Sequence, residues 1–293
     1  MNQRTLSDKW FEGTILSVLI LIAMIMLFPF YYVTAVSFTS PIEYLQKSII
    51  LLPEKWTLTS YRYLLSNNVF TRATGISLFL ATVGTALSLI VTSAGAYALS
   101  RKRLQGRRIL LIAILMTTLF NPGIIPPYLV VRDLHMINTI WALILPVLTS
   151  GWYVILMKGF FDSIPDELEE AAKIDGASDL GVWFRIILPL SLPSLAAFGL
   201  FYAVAYWNTF FSAVLYITKP ELRPLQIVLQ MLLIDSSSSS SGEIANQMSG
   251  EIPIPTDTLK MAAVVIATVP ILIVYPLLQK HFAKGVMVGS IKG

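Results

Sequence analysis

Cysteine is absent from the 293 residues, and histidine occurs only twice, at His135 and His281. Without cysteine there is neither a disulfide framework nor thiolate chemistry, and two histidines do not make a His-rich metal site. Asp, Glu, Lys and Arg make up only 13% of the chain, about half the share of a soluble globular domain. The net charge of +4 is small for a nucleic-acid-binding protein. These scarcities exclude an ordinary soluble enzyme and a disordered chain.

Hydrophobic residues, by contrast, make up 55% of the chain, and the mean hydropathy is +0.71. A helix that crosses the hydrocarbon core needs about 20 apolar residues, and six windows of 19 to 33 residues contain no charged side chain. We therefore predict an all-α integral membrane protein, a single domain over 1–293 with six transmembrane helices. The predicted spans cover about 14–37, 73–99, 109–131, 139–157, 190–216 and 259–278.

Basic residues are distributed unevenly between the predicted loops. The segment 101–108 has five of them and no acidic residue, and loops rich in Lys and Arg stay in the cytoplasm. Placing this loop inside leaves 13 Lys and Arg residues on the cytoplasmic side and 8 outside. We therefore expect a multi-pass protein whose two termini, and whose loop between spans 4 and 5, are cytoplasmic.

The predicted third span contains three prolines and a glycine within 121–128. These residues break or kink a helix. Irregular backbone in a membrane is tolerated where protein or a water-filled cavity covers it. A transport pathway and a simple kink near the outer surface both remain open.

The loop between spans 4 and 5 has the pattern of an ordered helix outside the membrane. Acidic residues crowd its beginning, where they favour the helix dipole, and Glu169 and Lys173 form a favourable i,i+4 pair. Gly176 suits the left-handed position after the last turn. Ser178 is a suitable cap for a second short helix, which we expect to end before Pro189.

The stretch EAAKIDGASDLGVWFRIILPLSLP at 170–193 resembles the EAA loop of ABC importer permeases, in which Glu-Ala-Ala is followed by a glycine and later by Ile-x-Leu-Pro. The segment 126–146, the pair Trp207-Asn208 and the end 284–293 are similar to the carbohydrate branch that contains the smaller maltose-permease subunit. Within that branch, the chain most resembles permeases for polysaccharide-derived oligosaccharides such as alginate.

The resemblance implies a permease subunit of the bacterial cytoplasmic (inner) membrane that imports oligosaccharides by ATP-driven alternating access. It implies a second, related permease (a heterodimer), two ATPase subunits and an extracytoplasmic sugar-binding protein as partners. The chain has no GxxxxGK[ST] phosphate-binding motif. We therefore expect no catalytic residue, metal site or bound cofactor in this chain, and ATP and Mg on the partner ATPase.

The resemblance also assigns roles to the loop 159–189, whose helix becomes a cytoplasmic coupling helix between spans 4 and 5. The residues expected to couple to the ATPase are Leu168, Glu170, Ala171, Ala172, Asp175 and Gly176. Leu168, both alanines and Asp175 share one helical face by their spacing. Aromatic rings and amides within the spans are candidates for the sugar path, although helix packing explains them equally well. These candidates are Asn121, Tyr128, Tyr202, Tyr206, Trp207 and Asn208.

An ion-coupled secondary transporter is the alternative function. It would need ionisable groups inside the membrane and usually internal repeats. The sequence shows no evident repeat and no ionisable residue deep in a span.

Overall fold

The computed structural model of the chain describes residues 6–47, 49–234 and 256–289. Within these residues the structure is helical, and the extended pairing is an isolated bridge between Thr39 and Trp56. The fold therefore belongs to the predicted all-α class. In chain order the α-helices are α1 (Leu6–Ser37), α2 (Pro41–Gln46), α3 (Thr59–Ser66), α4 (Asn68–Phe79), α5 (Thr85–Ser100), α6 (Arg107–Leu119), α7 (Ile125–Asp133), α8 (Trp141–Ile144), α9 (Gly151–Asp162), α10 (Asp166–Ile174), α11 (Asp179–Val182), α12 (Leu188–Leu190), α13 (Leu192–Trp207), α14 (Phe211–Tyr216), α15 (Leu225–Ile234) and α16 (Thr256–Gly289).

Three helical stretches of the described chain are long and apolar enough to cross a membrane. They are Trp10–Ser37, Asn68–Ser100 and Asp257–Pro276. They coincide with the first, second and sixth predicted spans. Two bent pairs bring the number to five if each pair is one span. The pairs are Trp141–Val147 with Gly151–Asp162, bent by 55°, and Asp179–Leu190 with Leu192–Trp207, bent by 85°.

The predicted third span consists of two shorter helices, α6 and α7, separated by residues 120–124. Pro122 lies in this gap, and Gly123 has a φ of +78°, which favours glycine. The Asn121 side chain accepts a hydrogen bond from the Gly123 backbone N–H at 2.9 Å. The proline- and glycine-rich segment therefore interrupts the helix, as its composition predicts.

The helical segment after α10 does not end where the sequence predicts. We expect a stop before Pro189, but the helix continues to Leu190 and bends at Ser191. Residues Trp183–Ile187 form a π-helical turn. A π turn is wider than an α turn, and it leaves room for the proline ring, which would otherwise meet the carbonyl of the preceding turn.

The chain divides into two compact units. One extends to Asn68 and resumes from Leu229 to Val269; the other comprises Val69–Val228 and resumes at Pro270. In the first unit, the Phe38 ring packs on Trp56 and Tyr61, with ring centroids 5.8 and 4.9 Å away.

A buried carboxylate, Glu43, organises the segment between α2 and α3. It accepts hydrogen bonds from the backbone N–H groups of Glu54 at 3.0 Å and Lys55 at 3.3 Å. Lys47 Nζ lies 3.1 Å from the same carboxylate. These interactions, led by the Glu54 N–H, hold the pKa of Glu43 below its ordinary value of 4.5. The carboxylate therefore holds this segment together more strongly when it is ionised than when it is protonated.

This arrangement predicts an acid-sensitive segment. A lowered folded-state pKa contributes stability that is present above the unfolded value and is lost as the pH falls through the folded value. We expect amide hydrogen exchange of residues 50–56, corrected for intrinsic rates, to accelerate below the ordinary Glu pKa of 4.5. A Glu43→Gln chain should exchange rapidly on both sides of that pH. An acid transition that survives in the Gln variant would contradict the assignment.

Buried side chains form clusters in the described part of the second unit. One cluster is built around Leu80, Leu143, Ile144 and Tyr206. Another packs helix α5 against α9 and the π turn, through Tyr97, Met157, Phe161, Trp183 and Phe198 among others. The second cluster supports the helix α10.

Candidate coupling site

Local sequence determines the position of α10. Pro165 precedes its first residue, and Asp166, Glu167 and Glu169 lie in its first turn, where the helix dipole favours negative charge. Gly176 has a φ of +82°, which favours glycine. The Ala177 N–H donates to the Ala172 carbonyl at 2.9 Å, which closes the helix end.

The second short helix, α11, begins at the predicted cap residue Ser178. The Ser178 hydroxyl accepts a hydrogen bond from the Gly181 N–H at 3.3 Å, so this serine caps α11. The α10 helix and the start of α11 are therefore confirmed as two short helices that meet at a glycine.

One carboxylate, that of Glu169, holds α10 against the rest of the second unit. Glu169 is the buried residue of α10, and its Oε2 pairs with the guanidinium of Arg101. Arg101 directly follows the last residue of α5 and is itself 9% exposed. Its Nε donates to the Ser100 hydroxyl at 2.9 Å, and its guanidinium lies 5.1 Å from the centre of the Tyr97 ring. A buried ion pair therefore joins the end of α5 to α10.

More ion pairs surround this one. Arg103 lies 3.0 Å from Glu169 Oε1, and Lys173 lies 2.6 Å from the same oxygen, which confirms the predicted i,i+4 pair. Lys102 lies 3.0 Å from Asp166, and this hydrogen bond holds the pKa of Asp166 below its ordinary value. The basic segment 101–103 and the acidic helix are therefore complementary surfaces of one unit.

The opposite side of α10 is exposed and carries two apolar side chains and an alanine beside the carboxylate of Glu167. Ile174 is 86% exposed, Leu168 44%, and Ala171 is also exposed. We call Leu168, Ala171 and Ile174 the docking face. Exposed apolar residues grouped in this way mark an interaction surface.

The remaining predicted coupling residues lie around the docking face. Glu170, Asp175 and Gly176 are exposed. Ala172 is half-buried and packs against the cluster that contains Trp183. The two alanines therefore have different surroundings, because Ala171 is open while Ala172 supports α10 from below.

Two predicted substrate-path residues, Tyr202 and Tyr206, are buried between helices. The Tyr202 hydroxyl lies 2.7 Å from that of Thr92, and the Tyr206 hydroxyl lies 2.9 Å from that of Ser88. Both bonds join α13 to α5. Such interhelical hydrogen bonds stabilise helix packing in a membrane.

The other predicted path residues differ in accessibility. Tyr128 is half-buried and its ring is stacked on that of Tyr216, 6.2 Å away. Trp207 is buried, while Asn121 and Asn208 are exposed. Tyr128, Tyr202 and Tyr206 belong to one cluster of side chains. The role of all six residues in a sugar path stays a prediction.

Sequence reasoning did not identify Arg101, Arg103 and Glu169 as a connected group. A signal was available, since a basic loop and an acidic loop were both expected on the same side of the membrane. The signal does not say which charges pair, because Arg101 and Glu169 are 68 positions apart. Among the described residues, no group of three or more His, Asp or Glu side chains is arranged to hold a metal ion.

Long apolar helices and a charge-anchored polar helix with an exposed apolar face define a membrane-embedded subunit. The chain belongs to the family described as binding-protein-dependent transport system inner membrane component, whose model matches residues 84–288. It is therefore an inner-membrane permease component of a transport system that depends on a binding protein.

Three known proteins are similar over nearly the whole chain. The polygalacturonan/rhamnogalacturonan transport system permease protein YtcP of Bacillus subtilis is 43% identical over 98% of this chain and 100% of its own length. Protein LplC of the same organism is 46% identical over 93% and 91%. A chain in the crystal structure of a bacterial ABC transporter involved in the import of the acidic polysaccharide alginate is 31% identical, with a TM-score of 0.89, over 96% and 100%.

Proposed function

We propose that this chain is the permease subunit of an ABC importer that moves oligosaccharides from acidic polysaccharides across the cytoplasmic membrane by alternating access. The observation that carries the proposal is the helix α10. The buried Arg101–Glu169 pair holds one side of this helix, and the apolar side chains of Leu168 and Ile174 are exposed on the other. Family membership and the substrates named for the similar permease and the similar crystal structure support it.

In the proposed complex, two ATPase subunits bind ATP and Mg and hydrolyse ATP, a binding protein delivers the sugar, and a second related permease completes the pore. Leu168, Glu170, Ala171, Ala172, Asp175 and Gly176 form or support the surface to which an ATPase subunit docks. The apolar docking face supplies area removed from water, and Glu170 and Asp175 at its edge suit a basic rim on the partner.

We propose the orientation expected from the charge distribution, with both termini and α10 in the cytoplasm and with six spans. The ion pairs between 101–103 and α10 support it, because they require both loops to lie on the same side of the membrane. The third span would then be the broken pair α6 and α7.

The substrate class we favour is an oligosaccharide that carries uronate groups. The similar proteins are named for polygalacturonan, rhamnogalacturonan and alginate. The exposed amides of Asn121 and Asn208 remain the accessible candidates for hydroxyl recognition, and the four aromatic candidates either stack on a sugar or pack the helices around its path.

Reconstituted vesicles test the proposal. We expect uptake of oligogalacturonate or oligoalginate to need ATP, an ATPase subunit and the binding protein, to be stopped by vanadate, and to be indifferent to a collapsed proton gradient. A neutral oligosaccharide of equal length is the matched substrate. Uptake driven by a proton gradient without ATP would overturn the proposal in favour of a secondary transporter, and equal uptake of the neutral sugar would overturn the substrate class.

A further inference from the structure

We propose that Arg101 is a positioning residue for energy coupling, because its buried pair with Glu169 makes α5 and α10 move as one body. The inference rests on the proposed function, in which α10 receives the motion of the ATPase. It adds the route by which that motion reaches a membrane-spanning helix of this chain.

Apart from its charges, the helix α10 itself makes few buried contacts with the second unit. Its apolar side chains Leu168 and Ile174 face outward, so they do not hold it to the chain. Ala172 contacts the cluster beneath, but an alanine offers little area. Glu169 is the one residue of α10 that is buried. Ile164 and Ala177, which flank α10, also pack against that cluster. Within the helix itself, the attachment is mainly by charge.

The charge of Glu169 is received by Arg101, at the end of α5. Arg101 follows α5 without an intervening residue, and α5 is the C-terminal half of the long helix Asn68–Ser100. Besides Glu169, Arg101 donates to the Ser100 hydroxyl, and its Nη2 lies 3.5 Å from the Phe161 carbonyl oxygen near the end of α9. The guanidinium is thus fixed to the ends of two apolar helices at once.

A buried ion pair costs more free energy to separate than an exposed one. A solvated pair such as Lys102 with Asp166 exchanges its partner for water at little cost. In the Arg101–Glu169 pair both side chains are about nine-tenths buried. Separating that pair leaves the buried Arg101 guanidinium without its close carboxylate, although Glu169 keeps Arg103 and Lys173 as partners. Rotation of α10 therefore carries the end of α5 with it rather than breaking the link.

The test measures sugar transported per ATP hydrolysed, in vesicles that contain the complete complex. We expect Glu169→Gln to retain the ATPase subunit on purification and to retain hydrolysis, while transport per ATP falls about tenfold, a coupling loss of ordinary size. The control Asp162→Asn removes the i,i+4 pair between the exposed Asp162 and the half-buried Lys158 on α9 and should leave that ratio unchanged. A wild-type complex that does not bind an ATPase subunit would refute the proposed function instead.

A double-mutant cycle distinguishes a direct interaction between Arg101 and Glu169 from two independent structural roles of these residues. If the pair is the unit, Arg101→Gln adds no further loss of coupling when it is combined with Glu169→Gln. Losses that multiply would overturn the inference, as would a Glu169→Gln complex with the wild-type ratio.

A second measurement does not depend on removing the pair. The chain has no cysteine, so Lys102→Cys with Asp166→Cys introduces two exposed thiols whose native side chains lie 3.0 Å apart. A short bismaleimide should join them and leave uptake at the level of the uncrosslinked variant, because a rigid body does not need to open there. Loss of uptake on cross-linking would show that α5 and α10 move apart, and would overturn the inference.

Discussion

Replacing Ala171 with arginine should abolish sugar uptake while the protein still inserts into the membrane. Ala171 is exposed in the middle of the docking face, between Leu168 and Ile174. A long charged side chain there would prevent close approach of the ATPase and bury an unpaired charge. Central interface residues cost about 2 kcal/mol or more when they are lost, so we expect ATPase binding at least roughly 30-fold weaker.

The measurements are co-purification of the ATPase subunit, uptake, and the amount of permease in the membrane. Ala171→Ser is the matched control, because it keeps the small size at the same position and should keep uptake. Ala172 is the less informative position, since a bulky residue there would also disturb the cluster beneath it. An Ala171→Arg complex that retains the ATPase and transports normally would show that the docking face lies elsewhere.

The sequence predicts most of the helical framework because charge-free length is a strong signal in a membrane protein. The caps of α10 and α11 were predictable for a related reason: the roles of Gly176 and Ser178 depend on a few neighbouring residues. The structure confirms the positive φ at Gly176 and the cap formed by the Ser178 hydroxyl.

Two features were not predictable from local rules. The π turns at Leu80–Gly84 and Trp183–Ile187 have no sequence signature, and the second one moved the helix break from Pro189 to Ser191. The Arg101–Glu169 pair is a tertiary contact, and the same basic residues were expected mainly to determine topology. Charge counts give the side of a membrane on which a loop lies, but only packing decides which charges are buried together.

The second large effect concerns a close approach between helices rather than the docking face. Gly151 begins α9, and a Cβ there would lie 2.9 Å from the backbone carbonyl oxygen of Ile114 and 2.7 Å from Thr118 Oγ1, both on α6. A backbone atom cannot rotate away as a flexible side chain can. We therefore expect Gly151→Ala to force α6 and α9 apart and to destabilise the second unit by about 1–3 kcal/mol.

Gly159 provides the comparison that makes this prediction specific, because it lies on the same helix and a Cβ there meets nothing within 4 Å. Gly159→Ala should be neutral or stabilising by up to about 1 kcal/mol, since alanine is the better helix former. Thermal unfolding midpoints of the detergent-solubilised chain, followed by size-exclusion chromatography after heating, would measure both variants. If the two variants unfold at the same temperature, α6 and α9 do not depend on glycine for their contact, and small residues at this interface serve helix flexibility rather than close packing.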